Sequence, residues 1–139
     1  MPKIELSAWF AVALGSALGS MARYGVAVVT VPLGAGYWPW GTLVANILGS
    51  FGICLFARLT EAGGRIRAGP SLRLFVTTGF FGGFTTLSLF SLEAMTLFQQ
   101  EQVGAAATYV LASLVLWLSG AWAGSRLGER WNQRPYRSG

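Results

Sequence analysis

The sequence contains no histidine and no aspartate, a single cysteine and a single lysine, and only 11% of its 139 residues are charged. A Ser-His-Asp triad, a HExxH zinc site and most imidazole acid–base chemistry are therefore excluded. "GFFGGF" at residues 79–84 has neither a Walker lysine nor the dinucleotide fingerprint, so it is no phosphate cradle. Only an enzyme built on Glu93 is left open, and the expectation is a protein that is not an enzyme. Cys54 alone excludes an intrachain disulfide and most thiolate metal sites, and reads as a small apolar residue.

What is abundant is hydrocarbon. Hydrophobic residues make up 53% of the chain, and the mean hydropathy is +0.53. Four apolar stretches, 8–31, 38–57, 74–98 and 103–125, are each near the ~20 residues that cross a bilayer. The fold expected is a single all-α membrane domain over residues 1–139 with four transmembrane helices. The first stretch lacks the basic start and small-residue cleavage site of a signal peptide and is read as a mature span.

The net charge of +5 does not point to nucleic acid, because the basic residues sit at span ends and in short loops with no soluble face to present them. Lys3, Arg58, Arg65, Arg67, Arg73, Arg126, Arg130, Arg134 and Arg137 fall on the side shared by both termini and the middle loop, with Arg23 alone near the other. The positive-inside rule then places the termini in the cytoplasm. Trp38, Trp40, Trp131 and Tyr136 are candidate interfacial anchors in the lipid bilayer. The short connection at 99–102 makes helices three and four an antiparallel hairpin.

Small and polar residues interrupt the apolar spans. Gly15/Gly19, Gly79/Gly83 and Gly120/Gly124 have the spacing that lets helix backbones approach. Thr42 and Asn46 share one face of the second helix, Thr85, Thr86 and Ser88 follow the double glycine in the third, and Tyr109 and Ser113 lie one turn apart in the fourth. For each group the plain reading is interhelical glue. Together they form a neutral stripe that offers hydrogen-bond donors to an anion without a fixed charge to trap it. Gly82-Gly83 is read as a helix break whose carbonyls need a partner, an ion being one possibility. Four helices alone enclose almost no shielded pathway, which favours an oligomer.

Three segments resemble the Fluc (CrcB) fluoride channel family: "GSALGSMARYGV" at 15–26, "WPWGTLVANILGSFGICL" at 38–55 and "TTGFFGGFTTLSLFSLE" at 77–93, in the family's order and covering nearly the whole chain. The resemblance implies a passive fluoride channel of a prokaryotic cell membrane. It also implies an antiparallel, dual-topology homodimer with two pores along the subunit interfaces, a third helix broken near its middle, and a central structural sodium ion. On this sequence the sodium carbonyls are those of Gly82 and Thr85, the pore amide is Asn46 with Thr42 one turn earlier, and Phe90 is the second of two pore phenylalanines. Tyr109 and Ser113 match a fourth-helix polar track, with Ser88 and Thr86 as third-helix candidates. Arg23 matches a first-helix arginine near a vestibule or snorkels at the interface, and Glu93 takes a packing or interfacial hydrogen-bond role.

Two positions depart from the family pattern. Leu87 stands where the first pore phenylalanine is common, and Trp117 where the polar track has its second serine. The other readings are a small-residue scaffold or assembly protein, which would be indifferent to Asn46 and Phe90, and a small proton-coupled antiporter, for which Glu93 is the available carboxylate. Nine basic residues on one side also favour a single orientation, whereas an antiparallel homodimer needs two; either Arg23 and the short loops leave insertion less decided than the count, or the chain pairs with an oppositely oriented paralogue. Reporter fusions at the C-terminus of the singly expressed chain, with cross-linking of purified protein, are expected to report both orientations. Uniform insertion with a parallel dimer would overturn the homodimer.

Overall fold

The computed structural model describes residues 6–33 and 38–133. Lys3, Arg134, Tyr136 and Arg137 lie outside them. Among the described residues the chain is all-helical: α1 (Leu6–Thr30), α2 (Trp40–Leu59), a third span built from α3 (Pro70–Leu74), a π-helical stretch (Phe75–Phe81), α4 (Gly82–Phe84) and α5 (Ser88–Gln99), and finally α6 (Val103–Gln133). Four helical units, Leu6–Thr30, Trp40–Leu59, Pro70–Gln99 and Val103–Gln133, are long and apolar enough to cross a membrane. α6 runs past the apolar limit at Ser125 because its end is amphipathic, with Arg126 paired to Glu129 at 3.7 Å and lying 5.6 Å from the Trp122 ring.

Lipid offers no hydrophobic force between helices, so close backbone approach and internal hydrogen bonds hold the bundle. Two glycine seams supply the approach. Gly15 and Gly19 of α1 face the backbone of Phe75 to Phe84, where Gly79 and Gly83 face the carbonyls of Val12 and Ser16 in return. Gly120 and Gly124 of α6 face the carbonyls of Ile47 and Phe51 on α2. Many hydroxyls in the spans are satisfied locally: Thr77 donates to the Arg73 carbonyl (2.7 Å), Thr96 to Leu92 (2.8 Å) and Ser119 to Val115 (2.7 Å).

The ends are fastened by polar contacts. Asn132 donates Nδ2 to the Arg58 carbonyl (2.7 Å) and accepts from the Arg65 N–H (3.1 Å), tying the 60–69 loop to α6. The turn between α5 and α6 is closed by Gln102 N–H on the Leu97 carbonyl (3.0 Å), with Glu101 at φ 61°. Trp38 departs from a simple interfacial anchor: it is half-buried and packs edge-on against Tyr109, with centroids 5.6 Å apart.

The α1 seam has a direct test. A Cβ at Gly19 would fall on the Phe80 carbonyl, whereas one at Gly104 meets nothing within 4 Å. Gly19→Ala is expected to destabilise the purified protein by about 1–3 kcal/mol, read as a lower thermal-unfolding midpoint in detergent, while Gly104→Ala leaves it unchanged.

Candidate functional site

The site begins where the third span stops being helical. Gly82 is itself helical (φ −63°, ψ −37°), so the double glycine is not the interruption; the chain leaves the helix at Thr85 (φ −84°, ψ 158°) and resumes at Ser88. The reason lies in what each glycine meets. At Gly83 a Cβ would collide with the Ser16 carbonyl, so that glycine serves helix packing, whereas at Gly82 the nearest atom is the Thr77 carbonyl oxygen at 4.0 Å.

Two regular helix hydrogen bonds are diverted at this junction. The Thr86 N–H, which would close on the Gly82 carbonyl, donates instead to Asn46 Oδ1 (2.8 Å), and Asn46 Nδ2 donates to the Thr86 carbonyl (2.9 Å). The Leu89 N–H, which would close on the Thr85 carbonyl, donates to Thr86 Oγ1 (3.2 Å), so Thr86 caps α5. Ser88 Oγ lies 3.3 Å from the same Thr86 hydroxyl. Thr85 turns its own hydroxyl back to the Phe81 carbonyl (2.8 Å).

A cavity of about 290 Å³ opens beside this junction, its wall including Asn46, Gly82, Thr85, Thr86, Leu87 and Trp117. Leu87 is 69% exposed in the single chain. A second cavity of about 280 Å³ is lined by Thr30, Trp38, Trp40, Thr42, Leu89 and Glu93. Arg23 is not among the residues lining either cavity, and its Nε is buried with no partner.

Thr42 and Tyr109, both buried, converge on Glu93. Thr42 Oγ1 donates to Glu93 Oε1 and Tyr109 OH to Glu93 Oε2, each at 2.7 Å. Sequence reasoning assigned the two donors to an anion path and Glu93 to packing or an interfacial bond; the structure joins all three in one network. These residues are 51 and 16 positions from Glu93, so helical spacing carries no signal of the pairing.

Phe90 is buried, with its ring 5.3 Å from Tyr109 (47°) and 4.7 Å from Trp117 (69°, edge-on), and is not among the residues lining either cavity. Ser113, fully buried on α6, has no hydrogen-bond partner, nor do the indole N–H groups of Trp38 and Trp117. Among the described residues no three His, Cys, Asp or Glu side chains gather as a metal site. The arrangement therefore offers neutral donors, aromatic edges and two carbonyls whose regular donors are engaged elsewhere.

Replacing Asn46 with leucine orphans both Thr86 backbone groups. The expected loss is about 1–3 kcal/mol for each buried group left unpaired, measured by thermal unfolding in detergent.

Residues 10–125 match the family described as CrcB-like protein, Camphor Resistance (CrcB). The chain is 47% identical over 118 residues, 85% of its length and 93% of the relative's, to the fluoride-specific ion channel FluC of Agrobacterium fabrum. It is 44% identical over 119 residues, 86% of its length and 90% of the relative's, to the FluC of Opitutus terrae. To the FluC of Methylobacterium radiotolerans it is 42% identical over 121 residues, 87% and 84% of the two chains. With four spans of the right character and this extent of match, the chain is a multi-pass membrane protein that belongs to the CrcB family.

Proposed function

We propose that this chain is a fluoride-selective passive channel that exports fluoride and confers fluoride resistance. The observation that carries the reading is its identity of 47% with a fluoride-specific ion channel over 93% of that protein. The site is compatible with it: Asn46, Ser113 and Trp117 are donors, and the two cavities have no arginine or lysine among the residues that line them. A fixed cation there would bind a small anion too tightly for passage. Fluoride trapped inside a cell as the anion is driven outward by the negative-inside potential, so no ATP site is required.

The working unit proposed is an antiparallel homodimer with a pore along each side of the interface. Supporting it are the exposure of Leu87 and the open space at Gly82, both lining the same cavity. In this reading Asn46, which lines the cavity, offers its remaining amide N–H to the path while its other bonds hold Thr86. Phe90 contributes the positive edge of its ring, and Ser88 extends the hydroxyl line from Thr86.

A structural sodium ion at the centre of the dimer fits the chemistry of the junction. The Gly82 and Thr85 carbonyls are hard oxygen ligands whose regular helical donors, the N–H groups of Thr86 and Leu89, are bonded to Asn46 and to the Thr86 hydroxyl. Both residues face the same cavity. When bound, the ion would supply positive charge that offsets the cost of bringing an anion into a low-dielectric interior.

Purified chain reconstituted in liposomes is expected to release fluoride and retain chloride. No fluoride efflux from well-folded dimers would overturn the reading. Leu87→Phe, which adds a ring edge to the cavity wall, is expected to speed efflux by about tenfold at most, on the scale of one aromatic contact. An unchanged rate would remove Leu87 from the rate-limiting region.

A further inference from the structure

The loop between α2 and the third span, residues 60–69, is a built structure. It folds back on the end of α2: the Gly64 N–H donates to the Glu61 carbonyl (2.8 Å) and the Ile66 N–H to the Leu59 carbonyl (2.9 Å). A Cβ at Gly64 would strike the Leu59 carbonyl, so the fold-back requires glycine there. Asn132 of α6 bonds to the Arg58 carbonyl and the Arg65 N–H, and Arg58 Nε donates to Ser125 Oγ (2.9 Å), so the loop is held against the ends of two spans.

An open cavity of about 610 Å³ lies between this loop and the first turn of the third span, with Thr60, Glu61, Arg67 and Arg73 on its wall. That volume falls within the ~300–1,000 Å³ of small-molecule sites. The carboxylate on the wall is already engaged, Glu61 pairing with Arg58 at 3.3 Å, and Glu129 is held by Arg126 at 3.7 Å. The guanidinium groups of Arg67 and Arg73 have neither ion pair nor hydrogen bond among the described residues. Apolar side chains accompany them: Ile66, on the same wall, is exposed, and so is Leu72 in the first turn of the third span. One spanning helix ends at Leu59 and the next begins at Pro70, which places the cavity at the level of the lipid headgroups.

We propose that this loop binds the headgroup of an anionic phospholipid, its phosphodiester meeting Arg67 and Arg73. Guanidinium forks match phosphate oxygens two at a time, a fit that a dispersed positive charge does not require. A zwitterionic headgroup would carry its own cation into a cavity that already holds two. Phosphatidylglycerol carries hydroxyls instead, and Glu61 keeps lone pairs to accept one. A free phosphate has no hydrocarbon to lay beside Ile66 and Leu72, which favours a lipid. The inference goes beyond the channel reading and rests on the membrane fold alone. In the antiparallel dimer proposed above, one such loop faces each leaflet, and a bound headgroup neutralises charge that opposes the outward placement.

The test uses the purified full chain in neutral detergent, with phosphatidylglycerol, phosphatidylcholine and inorganic phosphate as probes. Native mass spectrometry of the unaltered protein is expected to show phosphatidylglycerol retained in preference to phosphatidylcholine. Phosphatidylglycerol alone of the three is expected to raise the thermal-unfolding midpoint. Arg67→Gln or Arg73→Gln is expected to weaken phosphatidylglycerol binding about fivefold, the scale of one basic residue at an anionic surface. Arg130→Gln removes the same charge from the end of α6, outside the cavity wall, and is expected to leave binding unchanged.

Equal retention of the two lipids by the unaltered chain overturns the proposal. So does an equal loss of binding in Arg130→Gln, which assigns the effect to net charge, and so does inorganic phosphate that matches phosphatidylglycerol, which assigns the cavity to a soluble anion. A phosphatidylglycerol with a photoreactive headgroup locates the site without any variant: cross-links to residues 60–73 of the unaltered chain are expected, and cross-links confined to other segments overturn the assignment even where a glutamine variant fails to fold.

Discussion

At membrane depth a backbone N–H or carbonyl has no water to turn to, and an interruption in a spanning helix stands only if side chains or other ligands take over its broken bonds. Thr85 to Leu87 is such an interruption, and the Asn46 amide repairs it by pairing with both backbone groups of Thr86. The rest of the site follows from that double bond. It fixes α2 against the third span, and with it the requirement for glycine at position 49, where any Cβ would strike the Thr85 side chain. It frees the Thr86 hydroxyl to cap α5, which aims the α5 residues Phe90 and Glu93 toward α6.

The first half of the same span is held from the other side. α1 lies against the π-helical stretch and α4 through reciprocal glycines, so the segment leading to Gly82 is pressed onto a rigid helix before the chain breaks. A π-helical stretch also changes the angular spacing of its residues relative to an α-helix. Phe81 meets Gly52 of α2 while Gly79 and Gly83 remain on the α1 seam. Packing on one side and an amide clamp on the other leave the carbonyls of Gly82 and Thr85 as the parts of the junction relieved of helical duty.

The spans were legible because apolar length is a one-dimensional property, and the glycine seams because their spacing of four is a helical one. The double glycine draws the eye, yet Gly82 and Gly83 are helical, Gly83 faces the Ser16 carbonyl, and the non-helical residues begin at Thr85. Asn46 stood out as an amide in hydrocarbon, but its partner is a backbone 40 positions away, which no local pattern encodes. The meeting of Thr42, Tyr109 and Glu93 was hidden for the same reason. Trp38 was hidden for a different one, because an indole near a span end reads as an interfacial anchor until its N–H is found buried and unpaired.

The polar groups of the spans thus divide into two sets with opposite energetics. Thr42, Asn46, Thr86 and Tyr109 all bond within the chain, Asn46 with one of its two amide N–H groups, and each of these bonds stiffens the frame. Ser113 and the two indoles are left incomplete in a medium where that is costly. A frame that satisfied every donor would be more stable and would have nothing left to offer an ion. One that left many unsatisfied would not hold its helices together. The bonds around Glu93 and Thr86 fix Tyr109 and the start of α5, and with them the Phe90 ring that packs between Tyr109 and the Trp117 indole.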